Sequence, residues 1–383
     1  MSQYTLIATS AFGMESIVSR ELSQLGYKNL KIENGKVEFP GDEYDIIRCN
    51  LWLRTADRVL LKMAEFKALD FEELYQGTLS VPWESLIPEN GKMHIVGKSI
   101  NSKLFSVPDC QSIVKRAVVD VMSRKYRKNW FPENGPVYKI EISLLKDTAV
   151  LTVDTSGPGL HKRGYRESSG IAPLRETLAA ALIQLSRWTP DRILADPFCG
   201  SGTIPIEAAL IGRNIAPGLF RNFISEEWPS MPAKIWKNVR EEATDAIKKT
   251  EMTIYASDID GRVFQKAREN ASKMMLENVI LFEKKPVEEF SSRKKYGCVI
   301  TNPPFGERLG DRTDSEKLYH TLGELYTKLQ TWSFFVLSPH PDFETHFNHK
   351  SDKNRKLYNG KIRCYLHHYL GPLPPRKKET DNM

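Results

Sequence analysis

Residues 302–305, Asn-Pro-Pro-Phe, follow a short apolar stretch and could activate an amine. Two successive prolines remove two backbone donors and stiffen the turn, which leaves carbonyl oxygens free to accept hydrogen bonds. The exocyclic amine of a nucleobase is a poor nucleophile because its lone pair is delocalised into the ring. If the Asn302 side-chain oxygen and the Pro303 carbonyl both accept from that amine, its nitrogen becomes tetrahedral and can attack a methyl sulfonium. Phe305 would stack on the base, a contact worth about 1–3 kcal/mol. A rigid exit from a strand is the simpler alternative.

A glycine-rich turn at 197–203 follows the predicted strand Arg192–Asp196 and precedes a helix. Gly200 and Gly202 lack a Cβ, so a ligand can approach the backbone amides, while Asp196 offers a carboxylate to a positively charged group. No GKS or GKT follows, and the third glycine and distant acid of a nicotinamide dinucleotide site are missing. A nucleotide-triphosphate loop and a dinucleotide fingerprint are both excluded. A tight strand-to-helix turn remains the alternative.

Two further acids stand at the end of the next predicted strand, 253–258. A carboxylate at that place can accept both hydroxyls of a ribose, and we favour Asp258 for this role. Asp260 fits better as the N-cap of the helix predicted at 261–276.

These motifs lie in a region where strands alternate with helices. The predicted strands are 192–196, 253–258, 279–282, 298–302 and 334–338, and the predicted helices are 174–188, one from 203, 261–276 and 315–332. Such alternation predicts a doubly wound parallel sheet, which binds ligands at the carboxyl ends of its strands. Asn359-Gly360 between two apolar runs predicts a hairpin that closes the sheet with an antiparallel edge.

The first part of the chain has a different pattern, which predicts an α+β region with mixed sheets. We expect a strand at 4–9, a helix at 13–25, a strand at 30–39, a helix at 44–59 and paired strands at 137–145 and 149–155. The segment 155–173 is rich in Gly, Ser and Pro and reads as a domain boundary. Residues 213–250 read as an inserted loop and helix that could form a lid.

Length and composition exclude several classes of protein. The 383 residues are enough for two or three domains, and 40% hydrophobic residues without an apolar run of about 20 exclude membrane insertion. The first residues lack the features of an export signal, so we expect a cytoplasmic protein. Five scattered cysteines without a CxxC pair argue against disulfides and zinc, and the histidines lack metal-ligand spacing, so no metal is expected.

The positive charge is concentrated in the middle of the chain. The net charge is +7, and residues 92–167 hold 14 Lys and Arg against 7 Asp and Glu. Within this block the pattern at Ser112–Lys128 predicts an amphipathic helix. Arg116 and Arg127 are about three turns apart on it and share an exposed stripe, with Lys125 and Lys128 near its end. A polyanion could bind along this stripe. A merely solvated face is the common alternative.

The motifs DPFCGSGT at 196–203 and NPPFGER at 302–308 resemble those of the S-adenosylmethionine-dependent amino-methyltransferases. More narrowly, LHKRGYR, APLRETLAAAL, SDID and LYNGKIRCYL, which begin at 160, 172, 257 and 357, resemble the RlmL type of 23S ribosomal RNA guanine-N2 methyltransferase. The resemblance covers nearly the whole chain and implies an α/β fold, a Rossmann-like doubly wound methyltransferase domain with an N-terminal α+β RNA-binding region. The implied domains are a ferredoxin-like element at 1–44, a THUMP RNA-binding domain at 45–155, a linker at 156–172 and a class I methyltransferase domain at 173–383.

The resemblance also implies roles for individual residues. The residues expected to bind S-adenosylmethionine are Asp196, Phe198, Gly200, Gly202 and Asp258. Those expected to hold the target guanine are Asn302, Pro303, Pro304 and Phe305. Those expected along the RNA path are Arg116, Lys125, Arg127, Lys162, Arg163, Tyr165 and Arg166, and no metal is implied.

The implied activity is S-adenosylmethionine-dependent N2-methylation of a guanosine in 23S ribosomal RNA, free or in a pre-ribosomal particle. A THUMP-type tRNA guanine-N2 methyltransferase, an adenine-N6 methyltransferase and a non-catalytic RNA-binding assembly factor remain alternatives. Two positions depart from the wider class: Pro286 stands where an acid often contacts the adenine, and Phe305 stands where many relatives have Tyr. The position of the modified nucleotide and the oligomeric state stay open.

Overall fold

The chain forms two compact units in a computed structural model that describes residues 3–166, 174–305 and 312–375, with only the backbone of 312–314. The first unit comprises Met1–Ser10, Val18–Leu160 and Pro217–Asp245, and the second comprises Ala11–Ile17, His161–Ala216 and Ala246–Met383. Residues 167–172 of the predicted linker and 306–308 of the NPPFGER motif lie outside the described residues. Within the described ranges, every helix is too short or too polar to cross a membrane.

The first unit is built on a seven-stranded mixed sheet. Its strands are β1 (Tyr4–Thr9), β2 (Lys31–Glu33), β3 (Lys36–Gly41), β4 (Arg58–Lys67), β5 (Lys92–Ile100), β6 (Val137–Leu145) and β7 (Thr148–Asp154), in the order β2-β3-β1-β4-β7-β6-β5. The helices that begin between these strands are α1 (Glu15–Gln24), α2 (Glu43–Trp52), α3 (Phe71–Leu79) and α4 (Val107–Tyr126). All pairs in the sheet are antiparallel except β5 with β6. The predicted α+β character is therefore confirmed.

Two element predictions in this unit are wrong. The strand predicted at 30–39 is a hairpin of β2 and β3, because Gly35 adopts a positive φ of 76° between them. The helix predicted at 44–59 ends at Trp52, where Leu53 takes an extended conformation, and its second half starts β4. The apolar run at 59–61 fits either periodicity, and pairing with β1 decides for the strand.

Helix α4 differs from the predicted Ser112–Lys128 at both ends. It starts at Val107, with a proline in its first turn, and it ends at Tyr126. Arg127 is the C-cap and has a left-handed φ of 54°. The prediction that Arg116 and Arg127 share one helical stripe is therefore wrong, although both side chains are exposed.

Most of the insertion read as a possible lid, Pro217–Asp245, belongs to the first unit. Helix α7 (Ala233–Asp245) directs Trp236 and Val239 into the core of that unit, and Trp228 stacks on Tyr138 with ring centroids 4.7 Å apart. The Trp228 indole also donates to the Val137 carbonyl oxygen at 3.0 Å. These contacts give the segment a structural role in the first unit.

The second unit is a seven-stranded doubly wound sheet, as predicted. Its strands are β8 (Leu194–Asp196), β9 (Ile254–Asp258), β10 (Ile280–Lys284), β11 (Cys298–Thr301), β12 (Ser333–Ser338), β13 (Lys353–Asn359) and β14 (Ile362–Tyr369), in the order β10-β9-β8-β11-β12-β14-β13. Its helices are α5 (Glu176–Leu185), α6 (Thr203–Gly212), α8 (Gly261–Lys273), α9 (Arg312–Lys328) and α10 (Phe343–Phe347). The first five strands in this order are parallel, and the β13–β14 hairpin forms the antiparallel edge with its turn at Gly360.

Candidate active site

Three neighbouring parallel strands bring the predicted site residues to one edge of the second sheet. Strand β8 ends at Asp196, β9 at Asp258 and β11 at Thr301, directly before Asn302. Because β8 lies between β9 and β11, the three carboxyl ends meet where a doubly wound sheet binds ligands. A pocket at this edge is lined by Leu174, Asp196, Phe198, Cys199, Gly200, Ser201, Thr203, Ile204 and Asn302.

The glycine loop is fixed by the end of the neighbouring strand β9. The Gly200 amide donates to Asp258 Oδ2 at 2.9 Å, and the Cys199 amide donates to the Ser257 carbonyl oxygen at 3.0 Å. Gly200 and Gly202 have positive φ angles of 54° and 82°. A Cβ at Gly200 would meet no atom within 4 Å, whereas a Cβ at Gly202 would lie 3.1 Å from that of Ala267. Gly200 therefore opens to the pocket, and Gly202 permits close packing of α8.

One carboxylate oxygen of Asp258 binds the glycine loop, and the other binds the backbone that directly follows β9. Its Oδ1 accepts from the Asp260 amide at 3.0 Å. Asp260 caps α8 by accepting from the Arg262 amide at 2.9 Å, which confirms its predicted N-cap role. The role of Asp258 as a ribose ligand stays a prediction.

Asp196 is a carboxyl group that is 1% exposed. Its Oδ1 accepts from Thr301 Oγ1 at 2.6 Å and from the Phe198 amide at 3.2 Å. Burial raises the pKa of Asp196 to about 7, and the two hydrogen bonds oppose this increase. Near neutral pH its charge therefore depends on what occupies the pocket.

The Asn-Pro-Pro-Phe turn is held by a buried tyrosine that the sequence did not single out. Tyr319 on α9 is fully buried, and its hydroxyl donates to the Pro304 carbonyl oxygen at 3.2 Å. Pro303 is buried, Phe305 is half-buried, and Asn302 is half-buried where it lines the pocket. The structure thus brings Asn302 together with Asp196, Phe198 and Gly200, as their predicted roles require.

Two of the predicted RNA contacts lie inside the protein. Arg163 is 2% exposed, and its Nε pairs with Glu207 Oε1 of α6 at 3.2 Å. Tyr165 is fully buried. The prediction that they contact RNA is therefore wrong for this structure, because neither side chain presents a surface to a polyanion. The sequence of this segment is rich in basic residues, but it does not show which of these cations are buried and which are exposed.

Arg166 is also directed inward, whereas Lys162 is exposed. Arg166 Nη2 donates to Thr203 Oγ1, and Nη1 lies 3.5 Å from both the Leu174 carbonyl oxygen and Glu176 Oε1. With its side chain only 12% exposed, Arg166 is not the RNA contact that was predicted. Lys162 stays a predicted contact.

Four cations on α4 or directly after it are exposed in the first unit, and together they are called its basic surface. Arg116, Lys125 and Arg127 are all exposed, and Arg124, which was not predicted, is exposed among them. The Arg116 guanidinium carbon lies 4.3 Å from the Tyr75 ring centroid, an arrangement that holds the charge outside the helix.

Glu316, His340 and His346 bring a carboxylate and two imidazoles together on the second unit. Glu316 Oε1 lies 3.7 Å from His340 Nε2 and 3.6 Å from His346 Nε2. His340 Nδ1 accepts from the Asp342 amide at 3.1 Å, so in neutral His340 the proton is assigned to Nε2, facing Glu316. That tautomer is unsuited to a metal at Nε2, and the absence of a metal stays a prediction.

Comparisons with known proteins match the whole length of this architecture. Family models match for an RlmL ferredoxin-like domain over residues 5–60, a THUMP domain over 68–154 and an RMKL-like methyltransferase domain over 163–368. A Bacillus subtilis (strain 168) protein named "Putative RNA methyltransferase YpsC" is 49% identical over 385 residues, with 100% of both chains covered.

Two solved structures are similar to nearly the whole chain. One, from Listeria monocytogenes str. 4b F2365, is described as a predicted N6-adenine-specific DNA methylase; it has a TM-score of 0.93 and 48% identity, with 97% of each chain covered. The other is SMU.472 complexed with SAH, with a TM-score of 0.93 and 43% identity, covering 98% of this chain and 100% of that one.

Proposed function

This chain belongs to the RlmL-type THUMP methyltransferases, and we propose that it methylates the exocyclic N2 of a guanosine in 23S ribosomal RNA. The observation that carries the proposal is the single pocket that Asn302 shares with Asp196, Phe198 and Gly200. The Asn302 amide, which can accept hydrogen bonds from an amine, thus lies beside a glycine loop that can bind a cofactor.

The cofactor is S-adenosylmethionine, in keeping with the family and with the SAH bound to a relative that is 43% identical. The residues of the pocket fit this group: Gly200 leaves open space, and Asp196 is a buried carboxyl that a cation would ionise. When bound, the cofactor supplies a methyl group on an electrophilic sulfonium. Phe198 and the loop amides would hold it, with Asp258 as the proposed ribose ligand.

The turn at 302–305 would hold the guanine. The Asn302 side-chain oxygen and the Pro303 carbonyl would accept from the N2 amine and orient its lone pair, while Phe305 stacks on the base. Tyr319 stiffens the turn through Pro304. The guanine must leave its stack to reach this place, and the released proton passes to solvent.

RNA is the substrate class that the first unit supports. The THUMP match spans 68–154, and the exposed cations of α4 lie inside it. Phosphate contacts of this kind position the nucleic acid without reading its sequence. Specificity for 23S RNA, free or in a pre-ribosomal particle, is proposed from the RlmL ferredoxin-like match at 5–60. A tRNA guanine-N2 methyltransferase and a non-catalytic assembly factor are the alternatives.

The test compares Asn302→Ala with Asn302→Asp in a methyl-transfer assay on total RNA from a strain that lacks the gene. Asn302→Ala removes the acceptor oxygen, and we expect turnover to fall by about 10²–10³-fold, the range seen for loss of one polar group at a reacting centre. Asn302→Asp keeps acceptor oxygens and should retain more activity.

SAH binding, measured by calorimetry, should be unchanged in both variants, and the exposed Asn354→Ala serves as the matched control. Unchanged turnover in Asn302→Ala would refute the role of this amide. Absence of any affinity for SAH or S-adenosylmethionine in the wild type would favour the assembly factor.

A further inference from the structure

A cation that the sequence analysis assigned to the RNA path contacts two of the residues that line the candidate pocket. Arg166 donates to Thr203 Oγ1 and approaches the Leu174 carbonyl oxygen at 3.5 Å, and both of those residues line the pocket. Its guanidinium is therefore next to the pocket, at the N-terminus of α6.

The donors of Arg166 are incompletely used. Nε is buried and has no hydrogen-bond partner among the residues that the structure describes. A buried donor without a partner is costly, and a guanidinium offers five donors in a fixed fork suited to a carboxylate. A carboxylate bound beside Arg166 would supply the acceptors that this guanidinium lacks.

Within the described part of the chain, the acidic partner of Arg166 is Glu176, which is poorly placed to neutralise it. Glu176 Oε1 lies 3.5 Å from Nη1, beyond a short charge-assisted hydrogen bond. Burial raises the pKa of Glu176, with the charge of Arg166 acting in the opposite direction. The guanidinium charge therefore remains available to a ligand.

S-adenosylmethionine has one negative group, the carboxylate of its methionyl part, beside two positive ones. Asp196 suits a positive group, and the two carboxyl groups at the strand ends, Asp196 and Asp258, would repel the carboxylate. Arg166 is the complementary charge next to the pocket-lining Thr203, where the first amides of α6 also favour an anion.

We propose that Arg166 binds the methionyl carboxylate of S-adenosylmethionine. This inference rests on the proposed use of the pocket and adds a cofactor-binding residue to it. The hydrogen bond to Thr203 holds the guanidinium in place in advance, so little side-chain entropy is lost when the carboxylate binds.

The test uses decarboxylated S-adenosylmethionine, which lacks only the carboxylate and keeps the sulfonium, the amine and the adenosine. Calorimetry of the full chain gives the ratio of the two dissociation constants for the wild type, for Arg166→Ala and for Arg166→Lys. The wild type should prefer S-adenosylmethionine by roughly 10–150-fold, the range of a charge-assisted hydrogen bond of about 1.5–3 kcal/mol. Arg166→Ala should bind both ligands almost equally, and Arg166→Lys should keep part of the preference.

The ratio is insensitive to general damage to the pocket, because such damage weakens both ligands alike. Arg175→Ala, an exposed arginine before α5, is the matched control and should keep the wild-type ratio. A wild-type preference that survives in Arg166→Ala, or no preference in the wild type, would overturn the inference while leaving the pocket assignment intact. If neither ligand binds the wild type, the proposed function itself fails.

Discussion

Asp196 links the fold to the chemistry because it is a carboxyl group buried at the end of a central strand. It was predicted from its place before the glycine loop, and the structure adds Thr301 as its hydrogen-bond partner at 2.6 Å. Thr301 is the polar residue at the end of the otherwise apolar strand β11, which pairs with β8. Its polarity could have indicated a hydrogen-bond partner for Asp196, but the sequence analysis did not consider it.

Cofactor binding should depend on pH through Asp196. The free protein has a pKa of about 7 at this site, and a cationic ligand favours the ionised form and lowers that pKa. Affinity for S-adenosylmethionine should therefore rise with pH up to about 7, by at most about tenfold per unit, and level off above it. Calorimetry between pH 5.5 and 8.5 measures this profile.

Asp196→Asn keeps the side-chain volume and lacks the titration, so its affinity should be weaker and nearly flat with pH. SAH shares the ammonium group but lacks the sulfonium, so it identifies which positive group Asp196 serves. A wild-type profile without slope below pH 7 would show that Asp196 does not ionise on binding.

At the scale of elements, the glycine loop follows β8 and is held by contacts with β9 and α8. Asn270 on α8 donates to the Ser201 carbonyl oxygen at 3.0 Å, and Gly202 packs against Ala267 of the same helix. The GxG motif predicted the turn, but it did not predict that the turn packs against residues of α8 that lie more than sixty positions further along the chain. Local sequence patterns predict local conformation, whereas long-range packing contacts of this kind depend on the order of the strands in the sheet.

Gly202→Ala should disturb the packing of the glycine loop against α8. The substitution forces an alanine to a φ of 82°, which costs about 1–2 kcal/mol, and places its Cβ 3.1 Å from that of Ala267. We expect a lower Tm and weaker SAH binding.

Gly360→Ala is the matched control, since its φ is 64° and its Cβ would meet nothing within 4 Å. It should lower the Tm through strain alone and leave SAH binding unchanged. Equal SAH affinities in the two variants would show that Gly202 does not shape the site.

The Asn-Pro-Pro-Phe turn should depend on α9 through Tyr319. Tyr319→Phe removes the hydroxyl that donates to Pro304, a loss of about 1 kcal/mol that we expect to lower the rate of methyl transfer about fivefold. SAH affinity should be unchanged, because the glycine loop is untouched. Tyr326→Phe on the same helix is the control, and a rate as low as that of Tyr319→Phe would point to a general effect on α9.

At the scale of the whole molecule, the division of the chain was only partly readable from its sequence. The doubly wound region and the α+β region were predicted from their strand and helix patterns, and both are confirmed. The membership of Pro217–Asp245 in the first unit was not, because it depends on contacts such as Tyr138 with Trp228 that no local pattern encodes. The domain boundaries at 44, 155 and 172 stay predictions.

The basic surface of the first unit should dominate the affinity for RNA. Replacing Arg116, Lys125 and Arg127 by Ala removes three exposed cations, and each phosphate contact contributes about 0.7–0.9 to the slope of log K against log salt. We expect the slope to decrease by about 2–3 in filter binding, with SAH affinity unchanged. A control with Lys28, Lys31 and Lys237 replaced loses the same charge and should keep the slope. Equal losses in both variants would indicate an effect of net charge alone.

The central claim is tested most directly by mass spectrometry of ribosomal and transfer RNA fragments from a strain that lacks the gene. We predict that one N2-methylguanosine disappears from 23S RNA, returns with the wild-type gene and does not return with Asn302→Ala. An unchanged 23S RNA together with the loss of a methylated guanosine from tRNA, or of an N6-methyladenosine from any RNA, would contradict this account.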